Sequence, residues 1–353
     1  MSASKRLLQI CPHDSAPFGD LIQVIGIAGA AVDMAVTNVF LGPAAGTPIP
    51  GCDYLNIEDL SKTRQVSAAL APLVQQEWSL VLCHRYRSYW GAVRAGINQQ
   101  RCIVLAHEYG LLKKWQRRLG RWVYGRQVHF AGVSKPVAEE LAGVTGHSVV
   151  LPNVVDVQAL RQGRLSRSRA LAELGLADAS PTVGMVGRLH YKKRPQLGLE
   201  AFQRFKKDHP KARLVVMGTG EMDESLRQQA GADVYFTGNV PQARNFMAAF
   251  DVLLYPAQAD SFGMVVLEAM DAGVPVVTQA RHGPAYVLDE VGCYAADDTA
   301  GEYARALQRA LQLDRTELTS RGQQRVEQLF SVSAMARMLD HLLIEGVGVV
   351  PGW

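Results

Sequence analysis

The feature that most constrains this chain is a repeated alternation in its second half. Short, wholly apolar runs end in glycine turns and are followed by amphipathic stretches. TVGMVGRL at 182–189 precedes PQLGLEAFQRFKKDHP, and RLVVMGTG at 213–220 precedes EMDESLRQQA. Apolar runs of this length, with no polar residue in alternation, belong to strands covered on both faces, as in a parallel sheet between helices. VYFTGNV, AFDVLLYP and PVVTQA continue the alternation. The expected fold is therefore α/β and doubly wound, with ligands at the carboxyl ends of the strands.

The first half carries the pattern less regularly. RLLQIC near residue 6, SLVLCH (79–84), CIVLAH (102–107) and HFAGVS (129–134) read as buried strands, and VVLPNVV (149–155) as the last strand-like piece. A Pro/Gly loop, PHDSAPFGD, leads into a helix for which Asp20 is the expected N-cap. At 353 residues the chain exceeds one ordinary core, so two domains are expected. Their spans are 1–157 and 181–330, joined by a linker over 158–180, where the sequence is polar, basic and short of β-branched residues. An amphipathic helix from Val332 to Glu345, within 331–353, is expected to pack back on the first domain.

Composition removes several classes. Hydrophobic residues make up 48% and charged residues 20%, the balance of a globular protein, and 37 basic against 33 acidic residues leave +4, too mild to imply nucleic-acid binding. Cys11, Cys52, Cys83, Cys102 and Cys293 are scattered with no C-x-x-C pair, which argues against a zinc site or disulfide framework and fits a reducing cytosol. The most apolar stretch, LIQVIGIAGAAV from Leu21, contains Gln23 and ends at Asp33, short of the roughly 18 residues a membrane span needs. The apolar run in MSASKRLLQICPHDS is too short for a secretory signal.

Two segments carry chemistry. In PAQADSFGMVVLEAMDAGVPVVTQA (256–280), Asp260 precedes Ser-Phe-Gly and Glu268 follows eight positions later in a helical stretch. Carboxylates so far apart suit two separate hydroxyl-bearing parts of one long ligand. Between them the N–H groups of Phe262, Gly263 and Met264 open a helix, a natural phosphate seat. An aspartate cap and a solvated helical glutamate explain the same residues. In GRLHYKKRP, Arg188 follows a strand and Lys193 lies just before the next helix. Two such cations can neutralise a diphosphate without a metal, although a basic surface turn has the same composition.

Together these pieces resemble the retaining family 4 glycosyltransferases (glycosyl transferases group 1), whose GT-B architecture sets two Rossmann-like domains facing across a cleft. The resemblance rests on VGRLHYKKRP, VVMGTGEM, VYFTGNV and DSFGMVVLEAMDAGVPVV, with PFGD, LAHEYG, GVSKPVAEEL and LPNVVD compatible in the first half. It implies transfer of a sugar from a nucleotide-diphosphate donor with retained anomeric configuration, and no metal or further cofactor. Position by position, Arg188 and Lys193 would bind the diphosphate and Glu268 the ribose. Asp260 with nearby amides would hold donor-sugar hydroxyls, Gly19 would let the first loop approach the phosphate, and His107 would lie near the donor sugar. The chain departs from the family at three places. Asp260 stands where Glu is usual, Phe18-Gly19 where Gly-Gly is usual, and Val154 where Gly is common, which weakens Asn153 as a cleft residue. A sugar-nucleotide epimerase of the same architecture and a non-catalytic carbohydrate-binding relative are the alternatives.

Three features lie outside those motifs. His13 is a weaker candidate than His107, and His84 is expected to be structural. In GLLKKWQRRLGRWVYGRQ, six basic residues lie between Lys113 and Arg126 with no acid. Leu111, Leu112, Trp115, Leu119, Trp122 and Val123 fall mostly on one helical face. Such a helix either packs its apolar face on the domain or lies on an anionic membrane through Lys113, Lys114, Trp115, Arg117, Arg118, Arg121 and Trp122. The expected partners are a nucleotide sugar and a glycan or lipid-linked glycan acceptor, such as lipopolysaccharide core, met at the cytoplasmic face of the membrane. No nucleic acid is expected.

Overall fold

The computed structural model describes residues 5–15, 17–178 and 181–346. The chain forms two compact units: residues up to Asp156 with those from Gln328 onward, and Val157–Glu327.

The first unit is built on a parallel sheet. Its strands are β1 (Lys5–Cys11), β2 (Met34–Phe40), β3 (Cys52–Tyr54), β4 (Leu80–His84), β5 (Cys102–Ala106), β6 (His129–Gly132) and β7 (Val149–Val150), in the order β3-β2-β1-β4-β5-β6-β7. β4 and β5 are buried along their whole length, as their unbroken apolar runs require. β2 and β3 carry no such signal. β2 reads MAVTNVF and is only partly buried, because it lies near the sheet edge. In the register Leu7 faces Leu80 on one side and Val36 on the other. The helix Val332–Ile344 packs on the helix Phe18–Ala30, and the backbone N–H of Val155 donates to Phe330 O at 2.8 Å. Asp20 is not the cap of that first helix. The helix begins at Phe18, and Asp20 sits in its first turn, where a negative charge favours the positive end of the helix dipole.

The second unit holds β8 (Thr182–Val186), β9 (Arg213–Met217), β10 (Val234–Gly238), β11 (Val252–Leu254), β12 (Val276–Gln279) and β13 (Cys293–Ala295), all parallel, in the order β10-β9-β8-β11-β12-β13. Phe202, Phe205, Leu214, Val216, Leu254 and Leu307 are among the residues of its core.

The linker expected over 158–180 is instead structured through most of its length. It contains the helices Val157–Gly163 and Arg167–Glu173, both in the second unit. Three of its four arginines are engaged by distant acids, and Arg169 alone is exposed. Arg161 Nη2 lies 2.8 Å from Asp271 Oδ1, Arg164 pairs with the other oxygen of the same carboxylate, and Arg167 pairs with Asp251 at 3.2 Å. Asp271 is fully buried. A composition reading missed this because the partners lie some hundred residues away.

Candidate functional site

In each sheet the strand order reverses at one place, between β1 and β4 and between β8 and β11. Connections leaving those neighbouring strands diverge to opposite faces and open a crevice at the carboxyl ends. The residues singled out from sequence gather at these two points.

In the second unit, the carboxyl ends of β8 and β9 come together through glycines. Gly187 has φ +136° and Gly218 φ +134°, and a Cβ on Gly218 would collide with the Gly187 carbonyl oxygen. His190 then accepts from Lys192 N through Nδ1 (3.2 Å), tightening a turn over Tyr191–Lys193. Arg194 takes a left-handed conformation (φ +51°) at the start of the helix Pro195–Phe205. This path carries Lys193 across to the loop after β11. Its ammonium donates to the hydroxyl of Tyr255 (2.6 Å) and to Asp260 Oδ2 (2.6 Å), and the Tyr255 hydroxyl donates to the same carboxylate oxygen. Arg188 and Lys193 line one pocket together with Leu189, Tyr255 and Pro256. The Arg188 side chain is exposed.

Burial would raise the pKa of Asp260, but the Lys193 charge, the hydrogen bonds from Lys193 and Tyr255 and the Phe262 N–H hold it below the usual carboxylate range. The Tyr255 phenol is driven well above its ordinary value, first by burial, then by Asp260, and to a lesser degree by Glu268. Glu268 therefore projects its charge towards the same cluster from the helix Met264–Asp271. That helix opens at Gly263 in a left-handed conformation (φ +92°), and Phe262 N reaches back to Asp260 Oδ1 at 3.5 Å. Arg188, Lys193, Asp260, Phe262, Gly263, Met264 and Glu268 thus belong to one neighbourhood. Tyr255, at the centre of it, was not singled out from sequence. Its signal was a polar-tipped ring closing the buried run of β11.

In the first unit, His107 follows β5 and is buried. Its Nε2 lies 3.0 Å from Nδ1 of His84, whose Nε2 lies 3.3 Å from Gln9 Oε1. Gln9 Nε2 donates to the Ile22 carbonyl (2.8 Å), an acceptor only, so Gln9 must present its oxygen to His84. Burial pushes the His84 pKa down to about 4. Neutral His84 therefore donates from Nε2 and accepts at Nδ1, which makes His107 the donor through Nε2–H. His107 too is held well below its ordinary value, by burial first, then by His84 and Arg85. Its lone pair is thereby assigned to Nδ1. Asn153 is buried as well, but its side-chain oxygen has no hydrogen-bond partner among the described residues. His84, read as structural, orients His107.

Phe18 packs edge-on against both His107 and His13 (centroids 5.0 Å apart in each case), with the Arg85 guanidinium over its face at 5.2 Å. Gly19 is accounted for without a ligand. A Cβ there would lie 2.6 Å from the Asp14 carbonyl oxygen and 2.9 Å from Ile49 Cδ1.

The basic helix forms over Trp115–Tyr124, and its apolar side chains stay exposed, although Tyr124 packs edge-on against Trp90 at 5.9 Å. Trp115 (67% exposed), Leu119 (50%), Trp122 (59%) and Val123 (49%) face outward, while Leu111 and Leu112, preceding the helix, are buried. Among the described residues no helix is long and apolar enough to cross a membrane, and no three His, Cys, Asp or Glu side chains cluster as a metal site.

A family model described as "Glycosyl transferases group 1" matches residues 180–313. The D-inositol 3-phosphate glycosyltransferase of Segniliparus rotundus is 32% identical over 165 residues, which is 43% of this chain and 36% of that protein. The chain thus spans little more than a third of the length of this curated relative. Among solved structures, sucrose-phosphate synthase from Thermosynechococcus elongatus superposes with a TM-score of 0.76 over 97% of this chain and 98% of its own, at 21% identity. The Anabaena HepE protein in complex with UDP-glucose gives 0.75 over 96% and 99%, at 17% identity. These are structures of the GT-B fold, with two Rossmann-like domains, and this chain shares it.

Proposed function

Because residues 180–313 match the glycosyl transferases group 1 family model, we propose that the chain moves a sugar from a nucleotide-diphosphate donor to a glycan hydroxyl with retention of anomeric configuration. The observation that carries this reading is the pocket at the β8/β11 reversal. There Arg188 and Lys193 line one wall and Asp260 is held ionised beside them.

In the proposed reaction the bond between the anomeric carbon and the diphosphate oxygen breaks as the acceptor oxygen bonds to that carbon on the same face. The departing phosphate takes the acceptor's proton. Positive charge builds on the sugar and negative charge on the diphosphate. Arg188, through a planar fork, and Lys193, as a point charge, stabilise the latter, so the chemistry asks for no metal and no separate carboxylate base. Glu268 is assigned to the ribose, Asp260 with the neighbouring amides of Phe262, Gly263 and Met264 to donor-sugar hydroxyls, and His107 to the sugar's surroundings. The UDP-glucose bound to HepE supports a nucleotide-sugar donor.

The acceptor is proposed to be a growing cell-surface glycan, lipopolysaccharide core or a lipid-linked oligosaccharide, met at the cytoplasmic face of the membrane. The outward-facing Trp115 and Trp122, with the exposed Lys113, Lys114, Arg118 and Arg126, support contact with an anionic bilayer, whereas Arg117 and Arg121 are turned onto the domain.

Thermal-shift measurements with UDP-, GDP- and ADP-sugars test the donor. At a hundredfold excess over Kd the matching nucleotide stabilises the fold by about 2.7 kcal/mol, and Arg188→Ala abolishes the shift. No shift with any of the three would sink the reading.

A further inference from the structure

A separate cleft of about 290 Å³ lies in the first unit, over the carboxyl ends of β1, β4 and β5. Its walls include His107, Tyr86 and three arginines, Arg85, Arg87 and Arg117, with Glu108 as its carboxylate. Glu108 is already paired with Arg85. The other two guanidiniums are held by neutral groups. Arg87 Nη1 donates to the Leu60 carbonyl at 2.6 Å. Arg117 Nη1 donates to the Leu111 carbonyl at 2.9 Å, and its plane lies over the Tyr86 ring, 4.3 Å from the centroid. Carbonyls and a ring face aim a guanidinium fork without cancelling its charge. Among the described residues neither arginine forms an ion pair. Asp59, whose charge acts on Arg87 from outside, is not part of the cleft wall, and its carboxylate accepts from the Ser61 amide at 2.8 Å and hydroxyl at 2.6 Å.

The cleft therefore holds a surplus of two positive charges beside the one buried histidine whose Nδ1 lone pair is set by the His84–Gln9 relay. Low-dielectric walls concentrate such a field, and a planar fork matches the oxygens of a phosphate or carboxylate.

We propose that this cleft binds an anionic group, a phosphate monoester or carboxylate carried by a sugar of the acceptor, on Arg87 and Arg117. The ligand's role as acceptor rests on the transferase reading above, whereas the charge of the cleft stands without it.

The test is calorimetric titration of the full chain at low salt with glucose 6-phosphate and with glucose. Glucose 6-phosphate is expected to bind at least tenfold more tightly, and added salt should erode the preference. Arg87→Gln combined with Arg117→Gln should abolish it, Arg87→Lys with Arg117→Lys should retain most of it, and Arg188→Gln should leave it intact. Equal binding of the two sugars overturns the inference, as does a preference that survives the paired glutamines. A preference lost in Arg188→Gln and kept in the paired glutamines assigns the anion to the second unit and overturns it too. Because the donor screen reads a different pocket, failure of the transferase reading leaves this result standing.

Discussion

Lys193 and Asp260, sixty-seven positions apart in the chain, meet at 2.6 Å with the Tyr255 hydroxyl bridging them. The aspartate reaches the lysine directly, and the tyrosine hydroxyl donates to the same carboxylate oxygen. Removing that oxygen with Tyr255→Phe takes away a hydrogen bond to a charged group. Urea unfolding should show a loss on the order of 1.5–3 kcal/mol. An unchanged midpoint and slope would mean that the tyrosine oxygen contributes nothing to the pair.

Arg188 and Lys193 are assigned to the charge that develops on the leaving diphosphate. Arg188→Ala and Lys193→Ala should each lower transfer at least ~100-fold, equivalent to ~2.7 kcal/mol of transition-state stabilisation. Steady-state rates in the two variants decide this, and wild-type turnover in both rejects the assignment.

His84 is neutral in the fold, with its pKa near 4 instead of 6.5. Below the ordinary value the unfolded chain binds the proton and the folded chain does not. Its contribution to stability is therefore complete above about pH 6.5 and declines as the pH falls towards 4, by roughly 1.4 kcal/mol per pH step. His107 acts in the same direction. Melting temperatures between pH 8 and 4 should hold steady and then fall, with a shallower fall in His84→Gln. A flat profile in the wild type would contradict the buried neutral pair.

Asp271 is fully buried between Arg161 and Arg164. Asp271→Ala leaves Arg164 without its carboxylate and Arg161 with Glu327 alone, and the expected cost is about 3 kcal/mol. Helix 157–163 should then become the first site of limited proteolysis. Protection equal to the wild type would show that the clasp is dispensable.

For the outward-facing helix, cosedimentation with phosphatidylglycerol vesicles should be clear in the wild type and absent with phosphatidylcholine. Trp115→Ser with Trp122→Ser should remove apolar insertion, and 0.5 M salt should weaken what remains. Equal binding to both vesicle types would rule out charge recognition.

Much of the fold was written locally. Largely apolar runs announced β1, β4, β5, β6 and β8 to β12, because a strand covered on both faces has little polar alternation to disguise it, while the three-residue β13 was not singled out. β2 escaped because MAVTNVF, near the sheet edge, mixes polar and apolar residues. The linker was misread because its arginines are matched to Asp251 and Asp271, which no window of sequence contains.

The identities and spacing of Arg188, Lys193, Asp260 and Glu268 come from the sequence alone, since residue type and position relative to a strand end are local properties. Their partnerships were decided by the tertiary structure. Only the reversal of strand order beside β8 brings the end of β11, and with it Tyr255 and Asp260, against Lys193. The same reversal beside β1 sets Gln9 behind His84 and so selects the nitrogen of His107 that carries the proton. Hydrogen bonds and ion pairs act over about 3 Å, and which distant segments come that close is settled by sheet topology.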